Sequence, residues 1–172
     1  MLLALATVAI LAQDPSVTAL ESLVNRQEQS DPLEHVMKMT QNELLEVKIH
    51  QVLKKHKVLR PQYYAKLIAH REISVKEKYL ATAILIPESG GDSKARSNKG
   101  AQGAWQVMPM WKRMLNIKGS LYDPPTCLDA AIKVYNIHLK ESNGSVKHAL
   151  IAYSGNAVGY AKKVMSIMRE LG

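Results

Sequence analysis

With 172 residues, 47% of them hydrophobic, the chain is long enough to bury a real core as one domain carrying an extension. Its 23 Lys and Arg against 15 Asp and Glu leave a net charge of +8, which favours polyanionic partners: nucleic acid, acidic lipid or an anionic wall polymer. The single cysteine, Cys127, excludes an internal disulfide without fixing the compartment, and reads as a small buried hydrophobe.

Leu2 to Ala12 is an apolar run ending in small residues, too short to cross a bilayer as a helix. It suits the core of a secretory signal cleaved near Ala12, although no Lys or Arg precedes it; the competing reading is the start of a buried helix. Ser16 is placed to cap a helix with Val17, Leu20, Leu23 and Val24 on its apolar stripe. Asp31-Pro32 starts another, with Leu33, Val36, Met37, Leu44, Val47 and Val52 at helical spacing to about Lys55. His35, His50 and His56 do not share i, i+4 spacing, so no metal site is expected of them.

Pro61 starts the next helix, through Tyr63, Tyr64, Leu67 and Ile68. Ser74-Val-Lys-Glu77 is a capping box opening a helix with Tyr79, Leu80, Ala83 and Ile84 on its apolar face, which Pro87 should disturb or end. Trp111 to Leu115 reads as helical. Thr126 is the expected cap of a helix running to about Lys140. Val146 to Ala152 forms a short helix, and a last one runs from about Val158 to Leu171. No alternating strand pattern stands out, though residues 96–109 leave room for a small β-hairpin.

Several chemistries are poorly supported. The glycines near Gly100 lack the Lys-Ser/Thr of a phosphate loop. There is no Gly-x-Ser-x-Gly elbow, and nothing around Cys127 marks a thiol nucleophile. The basic residues are spread over several segments with no nucleic-acid motif, so a solvated basic surface is the plainer reading.

Glu88 stands apart. It sits where the apolar run Ala83 to Ile86 meets a Gly- and Ser-rich loop. Desolvation there would raise its pKa and keep a proton on it near neutral pH, as acid catalysis on an acetal requires. Spacing alone leaves open the alternative of a helix-end carboxylate satisfied by loop amides.

Glu88, Ser89, Ala95, Ser97, Gly100, Ala101, Gly103, Gln106 and Pro109 stand at fixed offsets, followed by Asp123-Pro124 and by Ala149-Leu-Ile-Ala-Tyr-Ser154. This pattern resembles the soluble lytic transglycosylases, lysozyme-like enzymes related to goose-type lysozyme, across about residues 79 to 165. Departures are Gly91 where an aromatic is common, Ser93 where Pro is common, Ala104-Trp105 for Leu-Met, Cys127 for Asn, and Ser154 for Asn.

The resemblance implies a mainly α, lysozyme-like domain, placed at 73–172; before it the residues themselves read as a possible signal at 1–12 and a helical extension over 13–72, which has no motif match. It implies cleavage of peptidoglycan between N-acetylmuramic acid (MurNAc) and N-acetylglucosamine (GlcNAc), with Glu88 as acid and then base and a 1,6-anhydro product. Tyr153 would hydrogen-bond Glu88; Ser89, Gly103, Ala104 and Gln106 would lie along the sugar; Trp105 would stack on a sugar face or pack in the core, and Trp111 reads as core. No metal and no cofactor are implied. The expected partners are glycan strands, within general wall turnover or beside a secretion, conjugation or phage assembly, in the periplasm or envelope, without nucleic acid or a lasting membrane span. A lysozyme-type hydrolase helped by Asp92 or Asp123, and a non-catalytic wall-binding module, are the alternatives.

Overall fold

The computed structural model describes residues 32–172, with side chains from Thr40 onward. The signal segment, the helix expected after Ser16 and the side chains of Leu33 to Met39 lie outside the described residues. Residues 42–172 form one compact unit, which holds every helix from the second half of the first onward.

Seven helices appear among the described residues: α1 Pro32–Lys55, α2 Pro61–Ala69, α3 Val75–Glu88, α4 Pro109–Met114, α5 Pro124–Glu141, α6 Val146–Tyr153 and α7 Tyr160–Leu171. The fold is mainly α, as expected of a lysozyme-like domain. In place of a hairpin there are two isolated antiparallel bridges, Arg96 with Gln102 and Gln102 with Val107.

Each helix starts where local chemistry allows it. Prolines open α1, α2, α4 and α5, where a missing N–H removes no helical hydrogen bond. The capping box of α3 is complete: Ser74 Oγ accepts from the Glu77 amide at 3.2 Å, and Glu77 accepts from the Ser74 amide at 2.9 Å. The cap of α5 is Asp123, not Thr126; its carboxylate accepts from the Thr126 amide at 3.1 Å and the Thr126 hydroxyl at 2.7 Å. Pro124 at the first helical position fixes that register.

The apolar stripe of α1 also differs from expectation. Leu44 and Val47 stand in solvent, while Ile49, Val52 and Leu53 are buried. These three follow i, i+3, i+4 and face the core, a face rotated from the one drawn through Leu44 and Val47.

At the centre of the unit runs α3. Leu80 through Leu85 are all buried, so this helix is covered nearly all round, with α2, α5 and α7 packed against it. A buried Leu or Ile contributes roughly 1.5–3 kcal/mol, so this short run anchors the fold. Pro87 does not break α3; the helix closes one residue later at Glu88, and the Ser89 and Gly90 amides both reach back to the Leu85 carbonyl.

Candidate active site

The last residue of the central helix is Glu88. Because Leu80 to Leu85 are locked in the core, the end of α3 is held at a fixed place where the helix meets the loop. Three tethers fix the turn after it: Leu59 N donates to the Gly90 carbonyl at 2.7 Å, Tyr64 Oη to the Gly91 carbonyl at 2.9 Å, and Gly91 N to Ser89 Oγ at 3.1 Å.

The loop from Ala95 to Val107 folds back on itself. Gly103 N donates to the Ala95 carbonyl at 2.9 Å, and Gln102 and Val107 exchange backbone hydrogen bonds at 3.0 Å. Trp105 pins this fold to α3: its side chain is fully buried, its indole N–H donates to the Ala81 carbonyl at 2.8 Å, and its ring meets Tyr64 edge-on at 5.6 Å.

Together these elements line a groove of about 740 Å³ with the loop after α6 and the start of α7. Among the described residues, Glu88 is the only carboxylate on its walls. Tyr160, the first residue of α7, donates its hydroxyl to Glu88 Oε1 at 2.6 Å. Burial raises the Glu88 pKa to about 7, opposed by the Tyr160 hydrogen bond, which favours the carboxylate. The Tyr160 hydroxyl is itself raised far above its ordinary range, by burial first and by Glu88 next, so it stays a donor.

The expected site residues divide into two groups. Glu88, Gln106 and Tyr153 line the groove. Gln106 adopts φ +50°, and its amide nitrogen donates to the carbonyls of Gly103 at 2.8 Å and Ala95 at 3.1 Å, which leaves Oε1 for a ligand. Tyr153 lies beside Glu88, but its hydroxyl donates to the Trp105 carbonyl at 2.9 Å. The direct bond expected of Tyr153 is made by Tyr160.

Ser89, Gly103, Ala104 and Trp105 are off the groove wall and hold the scaffold. Ser89 Oγ donates to the Ala104 carbonyl at 2.6 Å. Gly103 is glycine because its φ is +75° and a Cβ there would sit 1.9 Å from the Leu121 carbonyl oxygen; the close approach is to backbone, not to sugar. Ala104 is buried at 1% exposure. Of the two roles open to Trp105, sugar stacking and core packing, it takes the second, whereas Trp111, expected in the core, is half-buried and lines the groove, its ring perpendicular to His138 at 5.3 Å.

Asp92 and Asp123 are both off the groove. Asp92 Oδ1 accepts from the Lys94 amide at 2.8 Å, and Asp123 caps α5. Tyr160 is the residue that sequence reasoning missed. Its available signal was its place on the first turn after the Gly159 bend, from which a side chain can reach across to the end of another helix.

A helical unit with one half-buried acid at the end of its central helix, open to a groove, belongs to the lysozyme-like class. Within that class the chain matches the family model of the transglycosylase SLT domain over residues 67–166, more than half its length, and it belongs to that family. These are lytic transglycosylases, which cleave glycosidic bonds of peptidoglycan. Peptidoglycan is a polymer of the cell envelope, and no described helix is long and apolar enough to cross a membrane.

Proposed function

We propose that this domain cleaves the β-1,4 bond between MurNAc and GlcNAc and closes a 1,6-anhydro ring on the muramic acid, with Glu88 as acid and then base. The observation that carries this reading is the lone, half-buried Glu88 carboxyl, protonated up to a pH of about 7.

With Tyr160 donating to Oε1, Oε2 is left to carry the transferable proton. That proton goes to the glycosidic oxygen as the bond from C1 to that oxygen breaks. The carbonyl oxygen of the substrate's N-acetyl group closes on C1 as an oxazolinium ion. Glu88, now a carboxylate stabilised by Tyr160, takes the proton from the C6 hydroxyl, whose oxygen displaces the acetamido oxygen at C1. Glu88 is thereby reprotonated and no water is consumed. Gln106 Oε1 accepts a hydrogen bond from the sugar, and Tyr153 holds the Trp105 carbonyl, fixing the wall beside the acid.

A conventional retaining or inverting hydrolase would need a second carboxylate across the bond. Asp92 and Asp123 are engaged as caps away from the groove, which favours the single-acid route. Export to the periplasm or envelope follows from the substrate. Mass spectrometry of digested sacculi tests the reading: 1,6-anhydromuropeptides are expected, and products with reducing ends alone would refute it. Glu88→Gln should abolish release of either product; binding to sacculi without any release by the native protein would instead mark a wall-binding module.

A further inference from the structure

The loop that forms one lip of the groove is basic. Between Asp92 and Gly100 it carries Lys94, Arg96 and Lys99, all exposed, against the single acid Asp92. Lys99 alone of these lines the groove, where it is the one Lys or Arg side chain on the wall among the described residues. Among those same residues its ammonium has no ion-pair partner, and Ser154, Gly155 and Ala157, which also line the groove, are uncharged.

Its backbone is well held. Ser97 O accepts from the Gly100 amide at 2.9 Å, Ser97 N donates to the Ala101 carbonyl at 3.0 Å, and Ser97 Oγ accepts from the Ala101 amide at 3.0 Å. Gly100, at φ +90°, completes the turn. Lys99 is thus presented from a well-held turn on the wall of a groove whose acid is shifted upward by burial against the opposing Tyr160 hydrogen bond, with no contribution from the lysine.

Resting on the glycan reading above, we propose that Lys99 is a specificity residue that pairs with a carboxylate on the muramic acid side of the strand. A GlcNAc polymer is neutral, whereas each MurNAc carries a lactyl group that ends either in a free carboxylate or in an acidic peptide. A compact ammonium suits a carboxylate that varies in position, because it imposes no fixed geometry. Lys99 therefore selects acid-bearing strands and leaves the chemistry to Glu88.

The test compares native protein, Lys99→Met and Lys99→Arg on peptide-bearing sacculi and on strands stripped of peptide, with chitohexaose as a neutral competitor. Lys99→Met should lower kcat/KM on acid-bearing strands about fivefold, as expected of an exposed ion pair, mainly through KM. Lys99→Arg should restore most of it, and added salt should narrow the gap. The inhibition constant of chitohexaose and the pH profile should stay unchanged. A loss confined to peptide-bearing strands assigns the carboxylate to the peptide, a loss confined to stripped strands assigns it to the free lactyl group, and a loss on both shows that Lys99 accepts either carboxylate. Unchanged kinetics on both strands, or an equal weakening of chitohexaose, would overturn the proposal. Absence of cleavage by the native protein would instead remove the catalytic reading beneath it.

Discussion

Glu88→Gln should stabilise the protein, and only at higher pH. Burial lifts the carboxyl from 4.5 to about 7. The folded protein keeps a proton over a range in which the unfolded chain has released it, so the contribution of Glu88 to stability falls as pH rises between these values and is level on either side. Each pH unit of difference is worth about 1.4 kcal/mol, so ionised Glu88 costs the fold about 3 kcal/mol above pH 7. Glutamine is nearly isosteric, carries no such cost, and its Oε1 still accepts from Tyr160. Thermal unfolding should therefore give similar melting temperatures for the two proteins at about pH 4, and a variant higher by about 10 °C at about pH 8.5. A difference that does not change with pH would refute the argument that burial drives the shift. A variant less stable than the native protein at the higher pH would do the same.

Three further outcomes follow from named contacts. Tyr160→Phe removes the bond that favours the carboxylate, so the Glu88 pKa should rise further; the alkaline limb of the pH–kcat/KM profile should move up, with kcat lower by about tenfold. Gly103→Ala pushes a Cβ into the Leu121 carbonyl at positive φ, and urea unfolding should register a loss of about 3 kcal/mol or more. Ser89→Ala leaves the Ala104 carbonyl without its donor and should cost about 1–3 kcal/mol in urea unfolding. KM for glycan should be unchanged, whereas a direct sugar contact would raise it.

What was legible in the sequence was mainly local. The capping box at Ser74 and the helix starts at Pro61 and Pro32 depend on neighbours within one turn, and such rules hold without knowledge of the fold. The register of α5 was available by the same logic, since Pro124 at the first position demands Asp123 as cap. What could not be read was which of two similar residues reaches a distant partner. Tyr153 and Tyr160 flank one turn, and only the packing of α7 on α3, with α6 held against α5 and α7, decides that Tyr160 meets Glu88. Trp105 and Trp111 likewise differ in whether tertiary packing closes over them.

The motif residues that made the chain identifiable serve chiefly the fold. Ser89 and Gly103, together with Trp105, which departs from the pattern, tie the loop to α3 and to the approach to α5, and this closure desolvates Glu88 and gives it a usable pKa. Gly91 fits the same logic, although an aromatic is common there. At φ +86° a Cβ would lie 2.7 Å from Leu59 O and from Val58 Cγ1, and 3.0 Å from the Tyr64 ring. The aromatic beside Trp105 comes here from α2, as Tyr64, which also donates to the Gly91 carbonyl. An aromatic at position 91 would compete with Tyr64 for that space, so the glycine and the tyrosine are two halves of one packing solution. The connection from α1 to α2 thereby helps set the burial, and so the protonation, of the acid at the end of α3.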